Sequence, residues 1–169
     1  MLSATFQIKI TYEMKIENCT EDDFVEIITD IVDFWGSDRT LHLHQPYLLH
    51  EFGNTAFVIR DNGTVVAYLF GFFSQTESLA YVHLIGVREK YQKQGLGKSL
   101  YDNFIEMARA KGIQRIKAIT KPINSKSINF HTKKIGMRML GEPNENGINV
   151  IKNYSGPDND RVVFIKELV

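Results

Sequence analysis

The chain has almost none of the features that would indicate a disulfide framework, a thiolate metal site or a nucleic-acid complex. Only one of its 169 residues is cysteine, Cys19, so neither an intrachain disulfide nor a multi-thiolate metal site can form. Its 20 basic and 20 acidic residues cancel, whereas binding to phosphate backbones demands a basic excess. We therefore expect no nucleic-acid partner.

Long apolar runs are lacking as well. The longest, VVAYLFGFF at residues 65–73, is far shorter than the about 20 residues that a helix needs to cross a bilayer. No basic segment followed by an apolar one opens the chain, so we expect no signal peptide, no membrane partner and a cytoplasmic location. Residues 14–169 are expected to form one domain. Residues 1–13 alternate apolar and polar, which suits either an extra strand or an extension.

The spacing of apolar residues predicts an α/β chain with a mixed sheet and helices on its faces. Thr20-x-x-Asp23 resembles a capping box and begins a helix that Gly36 ends. Asn62-Gly63 predicts a hairpin turn between two strands. Two further helices are predicted over residues 96–111 and 125–135. The predicted strands are residues 15–18, 56–60, 65–73, 79–87, 115–120 and 162–168.

The stretch YQKQGLGKSLY at residues 91–101 resembles three phosphate-binding loops. A Walker A loop would require glycine at Gln92, and a dinucleotide fingerprint would require glycine at Leu100. The pattern Gln92-x-x-Gly95-x-Gly97 follows a strand and opens a helix. The first N–H groups of a helix are unpaired, and glycines there let a pyrophosphate approach them closely. The alternative is a glycine-rich turn that binds no ligand.

This Gln-x-x-Gly-x-Gly pattern resembles the loop with which N-acetyltransferases of the GNAT superfamily hold the pyrophosphate of coenzyme A. YVHLIGV at residues 81–87 resembles their central strand, and NSKSINFHTKKIGM at residues 124–137 resembles their second cofactor segment. The resemblance covers about residues 14–140 and extends to a subgroup with Phe-His in place of Phe-Tyr. It implies an α/β (α+β) fold with a mixed, mostly antiparallel sheet of about six to seven strands and helices on both faces.

The resemblance also implies acetyl-CoA as co-substrate and no metal. Lys93 and Lys98 would add positive charge to the glycine loop. Asn124, Ser127 and His131 are spaced to share one helix face, which suits contacts with a pantetheine arm or, alternatively, a solvated surface. The implied cofactor-binding residues are Ile85, Gly86, Val87, Gln92, Lys93, Gln94, Gly95, Leu96, Gly97, Lys98, Asn124, Ser127, Phe130 and His131.

The implied reaction is direct acetyl transfer to a primary amine of a small molecule or peptide in a ternary complex. The amine must lose a proton, and the developing oxyanion needs preorganised donors. In the family those donors are backbone N–H groups of the central strand at a splay or bulge, which maps onto Ile85, Gly86 and Val87. Glycine within a strand also favours a bulge. His83 is the candidate base, unless it is a buried structural histidine or water takes the proton.

The acid that protonates the leaving thiolate is a tyrosine in many members, and His131 stands in its place. Four residues rather than the usual three separate His131 from Gly136. Either the helix end is looser and His131 is the acid, or the register shifts and Thr132 takes that position. Trp35 and Tyr47, with His83, would contact the acceptor.

Two further expectations concern function and assembly. A non-catalytic acyl-CoA-binding or regulatory module on the same fold is the alternative function, because the usual tyrosine is replaced. Exposed strand edges would allow a homodimer.

Overall fold

A seven-stranded sheet forms the centre of the computed structural model, which describes residues 14–168. The strand order is β1-β2-β3-β4-β5-β9-β6, and only the β4–β5 pair is parallel. The predicted mixed, mostly antiparallel sheet is thus confirmed, while the element predicted at residues 1–13 lies outside the described residues. The strands are β1 (Ile16–Asn18), β2 (Ala56–Asp61), β3 (Thr64–Phe73), β4 (Leu79–Val87), β5 (Arg115–Thr120), β6 (Arg138–Met139) and β9 (Val162–Glu167); β7 (Glu142–Pro143) and β8 (Asn149–Val150) form a separate hairpin.

Helices cover both faces of the sheet. Helix α4 packs on one face, and α1 and α2 pack on the other. Within the described part of the chain, no helix is long and apolar enough to cross a membrane. The helices are α1 (Glu21–Thr29), α2 (Ile31–Trp35), α3 (Tyr47–His50), α4 (Leu96–Ala110) and α5 (Ser125–Asn129), the last followed by a π-helical turn (Phe130–Lys134).

The predicted capping box is present at the start of α1. Thr20 Oγ1 accepts from the Asp23 N–H at 3.2 Å, and the Thr20 N–H donates to Asp23 Oδ2 at 2.7 Å. The prediction of one helix up to Gly36 is wrong, because the helix breaks at Asp30, where ψ is 23°. The Asp30 carboxylate bonds to Arg88 across the interface at 2.8 Å, a tertiary contact that helical periodicity does not reveal.

Arg88 fastens α1 and α2 to the end of β4. Its buried guanidinium bonds at 2.8 Å to each of three carboxylates, those of Glu26, Asp30 and Asp33. It also lies 4.7 Å from the centroid of the Phe34 ring. Charge-assisted bonds of this kind are strong and directional, so they set the position of these helices over β4.

Strand β4 parts from β5 after Val82, where their ladder ends at the Val82–Ala118 pair. Beyond that point β5 stays paired with β9, and β4 stays paired with β3. At the same point the β3–β4 register skips His83, which is a β-bulge. A bulge bends and twists its strand, so β4 turns away from β5 and a gap opens in the sheet.

The prediction that Gly86 marks the bulge is therefore wrong, since the bulge lies at His83. Gly86 is required by packing, because a Cβ there would lie 2.5 Å from Cε1 of Tyr68. The glycine opposite the bulge is Gly71, where a Cβ would lie 2.7 Å from the Tyr81 carbonyl oxygen and 2.9 Å from Cζ of Phe104.

We expect Gly71→Ala to destabilise the protein, because the methyl group would meet backbone that cannot move aside. Overpacking of this kind costs about 1–3 kcal/mol. Gly53→Ala is the matched control, since the nearest atom to its Cβ would be 4.0 Å away. Urea unfolding of both variants measures the difference, and equal free energies of unfolding would contradict the assigned role of Gly71.

Candidate functional site

The loop predicted to bind phosphate leads directly into α4. Lys93 and Gly95 adopt positive φ angles of 63° and 88°, and Gly95 caps the helix with no side-chain bond. Among the described residues, no acceptor takes a hydrogen bond from any backbone N–H of residues 93–98. Consecutive free N–H groups at a helix N-terminus bind anions well. The loop can therefore hold a pyrophosphate.

The Gln92 side chain connects this loop to two other elements. Its Nε2 donates to the Val87 carbonyl of β4 at 3.1 Å, and its Oε1 accepts from Lys126 Nζ of α5 at 2.7 Å. Gln94 Nε2 donates to the Lys90 carbonyl at 3.2 Å. Both predicted glutamines thus hold the loop in shape, and Gln92 places the charge of Lys126 beside it.

Gly97 allows close contact between α4 and the segment after β5. A Cβ at Gly97 would lie 3.2 Å from Cζ of Phe130 and 3.6 Å from Cγ2 of Val87. The charge of Lys98 is shared with Asp102 at 2.6 Å, and Lys93 is exposed. Three partly buried apolar side chains of the neighbouring elements pack against the same core: Ile85, Leu96 and Ile128.

The gap in the sheet exposes backbone donors of β4. The Arg88 N–H donates to the Val66 carbonyl of β3, and hydrogen-bonding directions alternate along a strand. The N–H groups of Ile85 and Val87 therefore face the gap, while that of Gly86 faces β3. Two of the three predicted oxyanion donors are brought together at the gap, and Gly86 is not among them.

The second predicted segment changes from α-helical to π-helical geometry at Phe130. The Ile135 N–H donates to the Phe130 carbonyl at 3.2 Å, five residues back. A π-helical turn accommodates one more residue than an α-helical turn. It absorbs the extra residue before Gly136, so the looser helix end is observed and no register shift is needed. Thr132 Oγ1 donates to the Ile128 carbonyl at 2.7 Å.

His131 lies inside the protein with both ring nitrogens bonded. Nδ1 is 2.8 Å from the Ser127 carbonyl, so it carries the hydrogen, and Nε2 accepts from Tyr101 Oη at 2.7 Å. The ring stacks on Phe164 at 4.5 Å between centroids. Burial lowers the pKa of His131 to about 4. This geometry argues against His131 as the acid, because at neutral pH it holds no proton that could reach a leaving group.

The three polar residues predicted to share one face of α5, Asn124, Ser127 and His131, bond mainly to their own helical segment. Asn124 Oδ1 caps the helix by accepting from the Ser127 N–H at 3.1 Å, and Ser127 Oγ lies 3.1 Å from Nδ1 of His131. These residues therefore support the helix itself, and of the three only Asn124 and Ser127 are partly exposed.

His83, the bulged residue of β4, is half-buried beside the gap. Burial lowers its pKa, and the nearby Leu43 carbonyl partly opposes this effect. The imidazole is therefore neutral at pH 7 and able to accept a proton, as a base must be. Its ring lies 6.4 Å from Phe72 and 6.2 Å from Tyr81, centroid to centroid.

Trp35 and Tyr47, both predicted to contact the acceptor, have different surroundings. Trp35 Nε1 donates to Tyr68 Oη at 2.7 Å, and Tyr68 Oη donates to Nε2 of buried His44 at 2.7 Å. His44 Nδ1 must carry a hydrogen, because it faces the Thr40 carbonyl at 2.9 Å. Trp35 is thus committed to a buried chain of hydrogen bonds.

Tyr47 is 48% exposed, and its ring contacts Phe52 at 6.4 Å between centroids. The Phe52 ring in turn contacts the Phe72 ring, and the Phe72 ring lies next to that of His83. Sequence reasoning missed Phe52, Phe72 and Tyr81, because their contacts join separate elements. Within residues 14–168, no group of three or more His, Cys, Asp or Glu side chains is arranged to hold a metal ion.

The sequence that contains the glycine loop and the parted strand β4 matches a known family. Residues 21–137, more than half of the chain, match the family model of the Acetyltransferase (GNAT) family. The protein belongs to this family of acetyltransferases. No curated protein matches the sequence.

Solved structures support the same fold. Ard1 from Thermoplasma volcanium superposes with a TM-score of 0.70 at 19% identity, over 92% of this chain and 97% of that chain. The ribosomal-protein alanine N-acetyltransferase from Escherichia coli gives 0.65 at 18%, over 91% and 93%. YncA from Salmonella typhimurium, solved with its cofactor acetyl-CoA, gives 0.62 at 20%, over 92% and 94%.

We expect His131→Phe to weaken the dependence of stability on pH. Because the pKa of His131 falls from 6.5 to about 4 on folding, the unfolded chain takes up a proton in this range that the folded protein does not. The free energy of unfolding therefore falls as pH is lowered, by about 2 kcal/mol between pH 7 and pH 5 from this residue. Urea unfolding at pH 7 and pH 5 should show that the free energy of unfolding falls less in the variant than in the wild type, by about this amount.

The matched control is Tyr101→Phe, which removes the same hydrogen bond but leaves the buried imidazole in place. It should retain the pH dependence of the wild type. A His131→Phe variant with the full wild-type dependence would contradict the burial of a neutral histidine.

Proposed function

We propose that the protein transfers the acetyl group of acetyl-CoA to a primary amine of a small molecule or peptide, by direct attack in a ternary complex. The observation that carries this proposal is the meeting of two features at one place. The free N–H groups of residues 93–98 lie at the start of α4, and the open edge of β4 lies directly before that loop.

The residues of the loop fit a pyrophosphate. Six consecutive N–H groups are free among the described residues, no atom lies within 4 Å of a Cβ placed on Gly95, and Lys126 stands beside the loop. Bound here, acetyl-CoA would supply the activated acetyl group as a thioester. The extended pantetheine arm would follow the gap between β4 and β5, since that gap adjoins the loop.

His83 is suited to take the proton of the attacking amine. It is half-buried at the bulge, neutral at pH 7, and upstream of the two backbone donors along β4. The N–H groups of Ile85 and Val87 would stabilise the negative charge that develops on the carbonyl oxygen as the new C–N bond forms.

The thiolate would leave as an anion, without a protein acid. The protons of both predicted acids are already hydrogen-bonded. His131 Nδ1 and Thr132 Oγ1 each donate to a carbonyl of the preceding helical turn. A free thiol has a pKa of about 8.5, so its anion is accessible near neutral pH.

Direct transfer is favoured over an acyl-enzyme intermediate by the state of the single cysteine. Burial raises the pKa of the Cys19 thiol to about 12, with Asp23 adding to the effect. Nucleophilic cysteines react as thiolates. Cys19 is held as a thiol, and it directly follows β1, away from the gap between β4 and β5.

We expect Gly95→Ala to weaken the binding of acetyl-CoA. Gly95 has a φ of 88°, so a side chain there strains the turn and displaces N–H groups. The loss of one charge-assisted hydrogen bond corresponds to roughly a tenfold rise in Kd. Gly112→Ala is the matched control, because Gly112 follows the other end of α4 with a φ of 70° and equally open surroundings. Calorimetric titration should show its Kd within about twofold of wild type, and equal effects of the two variants would contradict the assignment of the loop.

The proposed reaction is tested by thiol release from acetyl-CoA across a panel of amines. We expect release that depends on the amine, and His83→Gln should lower kcat/KM by about 100-fold or more while acetyl-CoA still binds. Because burial lowers the pKa of His83, the acidic limb of the wild-type pH profile should lie below the ordinary range of histidine and disappear in this variant.

His131→Phe and Thr132→Ala are the comparison variants, and in folded form each should retain kcat within about tenfold of wild type. A larger fall in either would return that residue to the role of acid. Acetyl-CoA binding without release for any amine would favour the non-catalytic module instead.

A further inference from the structure

The proposed transfer to an amine leaves the acceptor unnamed. Resting on that proposed function, we propose that the acceptor is a primary amine joined by a short linker to an aromatic or large apolar group, with no second positive charge. A row of partly exposed aromatic rings beside the bulge of β4 is the feature that would select it.

The row, called here the aromatic wall, consists of Tyr47, Phe52, Phe72, Tyr81 and His83. Consecutive ring centroids lie 6.4 Å apart for Tyr47 and Phe52, 5.3 Å for Phe52 and Phe72, and 5.1 Å for Phe72 and Tyr81. His83 is 6.4 Å from Phe72. These separations are typical of rings in contact, so the wall is continuous from α3 to the candidate base.

The wall is partly open to solvent, unlike the aromatic core. Tyr47 is exposed and the other four members are half-buried. Phe70 on β3 and Phe104 on α4 are at most 1% exposed by contrast. A contiguous apolar surface left in contact with water is a common mark of a binding site.

The charges around the wall disfavour a polycationic acceptor. None of its five members is acidic, and the carboxylates of Glu26, Asp30 and Asp33 on the covering helices are bonded to Arg88. Lys117 of β5 is paired in register with Tyr81, so a positive charge flanks this end of the wall. A second ammonium group at this end of the wall, next to the candidate base, would meet rings and a cation. The exposed carboxylate of Glu51 lies at the other end, beside Phe52 and Tyr47.

The geometry connects the wall to the reaction. The ring centroids of His83 and Phe72 are 6.4 Å apart, so an amine beside His83 and an aryl group on Phe72 can belong to one small molecule or one terminal residue. The neighbouring Phe73 points to the other face, where its ring stacks on Phe104 at 5.6 Å. Phe72 and Phe73 are therefore a matched pair. Phe72 contacts the rings of Phe52 and Tyr81, whereas Phe73 stacks on Phe104 and only lines a surface depression that Phe52 also borders.

The test measures kcat/KM for 2-phenylethylamine, ethylamine and spermidine with the wild type, Phe72→Leu and Phe73→Leu. We expect the wild type to prefer 2-phenylethylamine over both others by roughly tenfold or more, the selectivity that an apolar pocket provides. Phe72→Leu should reduce kcat/KM for 2-phenylethylamine by roughly tenfold and for ethylamine by less than about twofold. Phe73→Leu should leave the preference unchanged.

Two short peptides, one beginning with phenylalanine and one with glycine, distinguish a peptide terminus from a free amine as the source of the same chemistry. Faster release with spermidine than with 2-phenylethylamine in the wild type would overturn the inference and leave the proposed function standing. A preference that survives Phe72→Leu would also overturn it.

Absence of release with every amine would overturn the proposed function. The wall is then judged by calorimetric binding of 2-phenylethylamine to the protein saturated with coenzyme A. Binding that Phe72→Leu weakens by roughly tenfold supports the wall as an aryl site, whereas no binding, or binding unaffected by the substitution, refutes it.

Discussion

The site depends on one constraint, the parting of β4 from β5 at Val82 together with the bulge at His83. A regular ladder would pair every backbone N–H of β4, so no donor would be left for a ligand. The bulge at His83 bends the strand and leaves the N–H groups of Ile85 and Val87 without a partner strand. This geometry requires glycine at position 71, because any side chain there would collide with Tyr81 and Phe104.

The remaining elements hold that opening in place. Arg88 ties α1 and α2 to the end of β4, and Gln92 connects the loop both to β4 and to Lys126 on α5. Gly97 lets Phe130 pack on the first turn of α4. The glycine loop before α4, the free N–H groups of β4 and the aromatic wall thus share one scaffold, and bonds within the protein hold the loop in shape.

The two histidines of the predicted chemistry show how environment separates residues of one type. His83 is half-buried at an open strand edge and has aromatic neighbours, whereas His131 is enclosed and bonded at both nitrogens. Burial lowers the pKa of both, so both are neutral at pH 7. Of the two, only the ring of His83 is partly exposed, and it is therefore the one that we propose as the base. The π-helical turn at Phe130 accounts for the unusual spacing to Gly136 without moving Thr132 into the position of the tyrosine.

By itself the sequence determined six of the strands, the long helix α4, the capping box at Thr20, the hairpin at Asn62-Gly63 and the glycine loop before α4. Each of these depends on neighbours close in the chain, through side-chain periodicity, glycine conformation or a local hydrogen bond. Only the tertiary structure decided the break at Asp30, the bulge at His83, the π-helical turn, the burial of His131 by Tyr101 and Phe164, and the aromatic wall. The reason is physical, because most of those features depend on contacts between separate strands and helices, and the partners become known only when these elements are packed together.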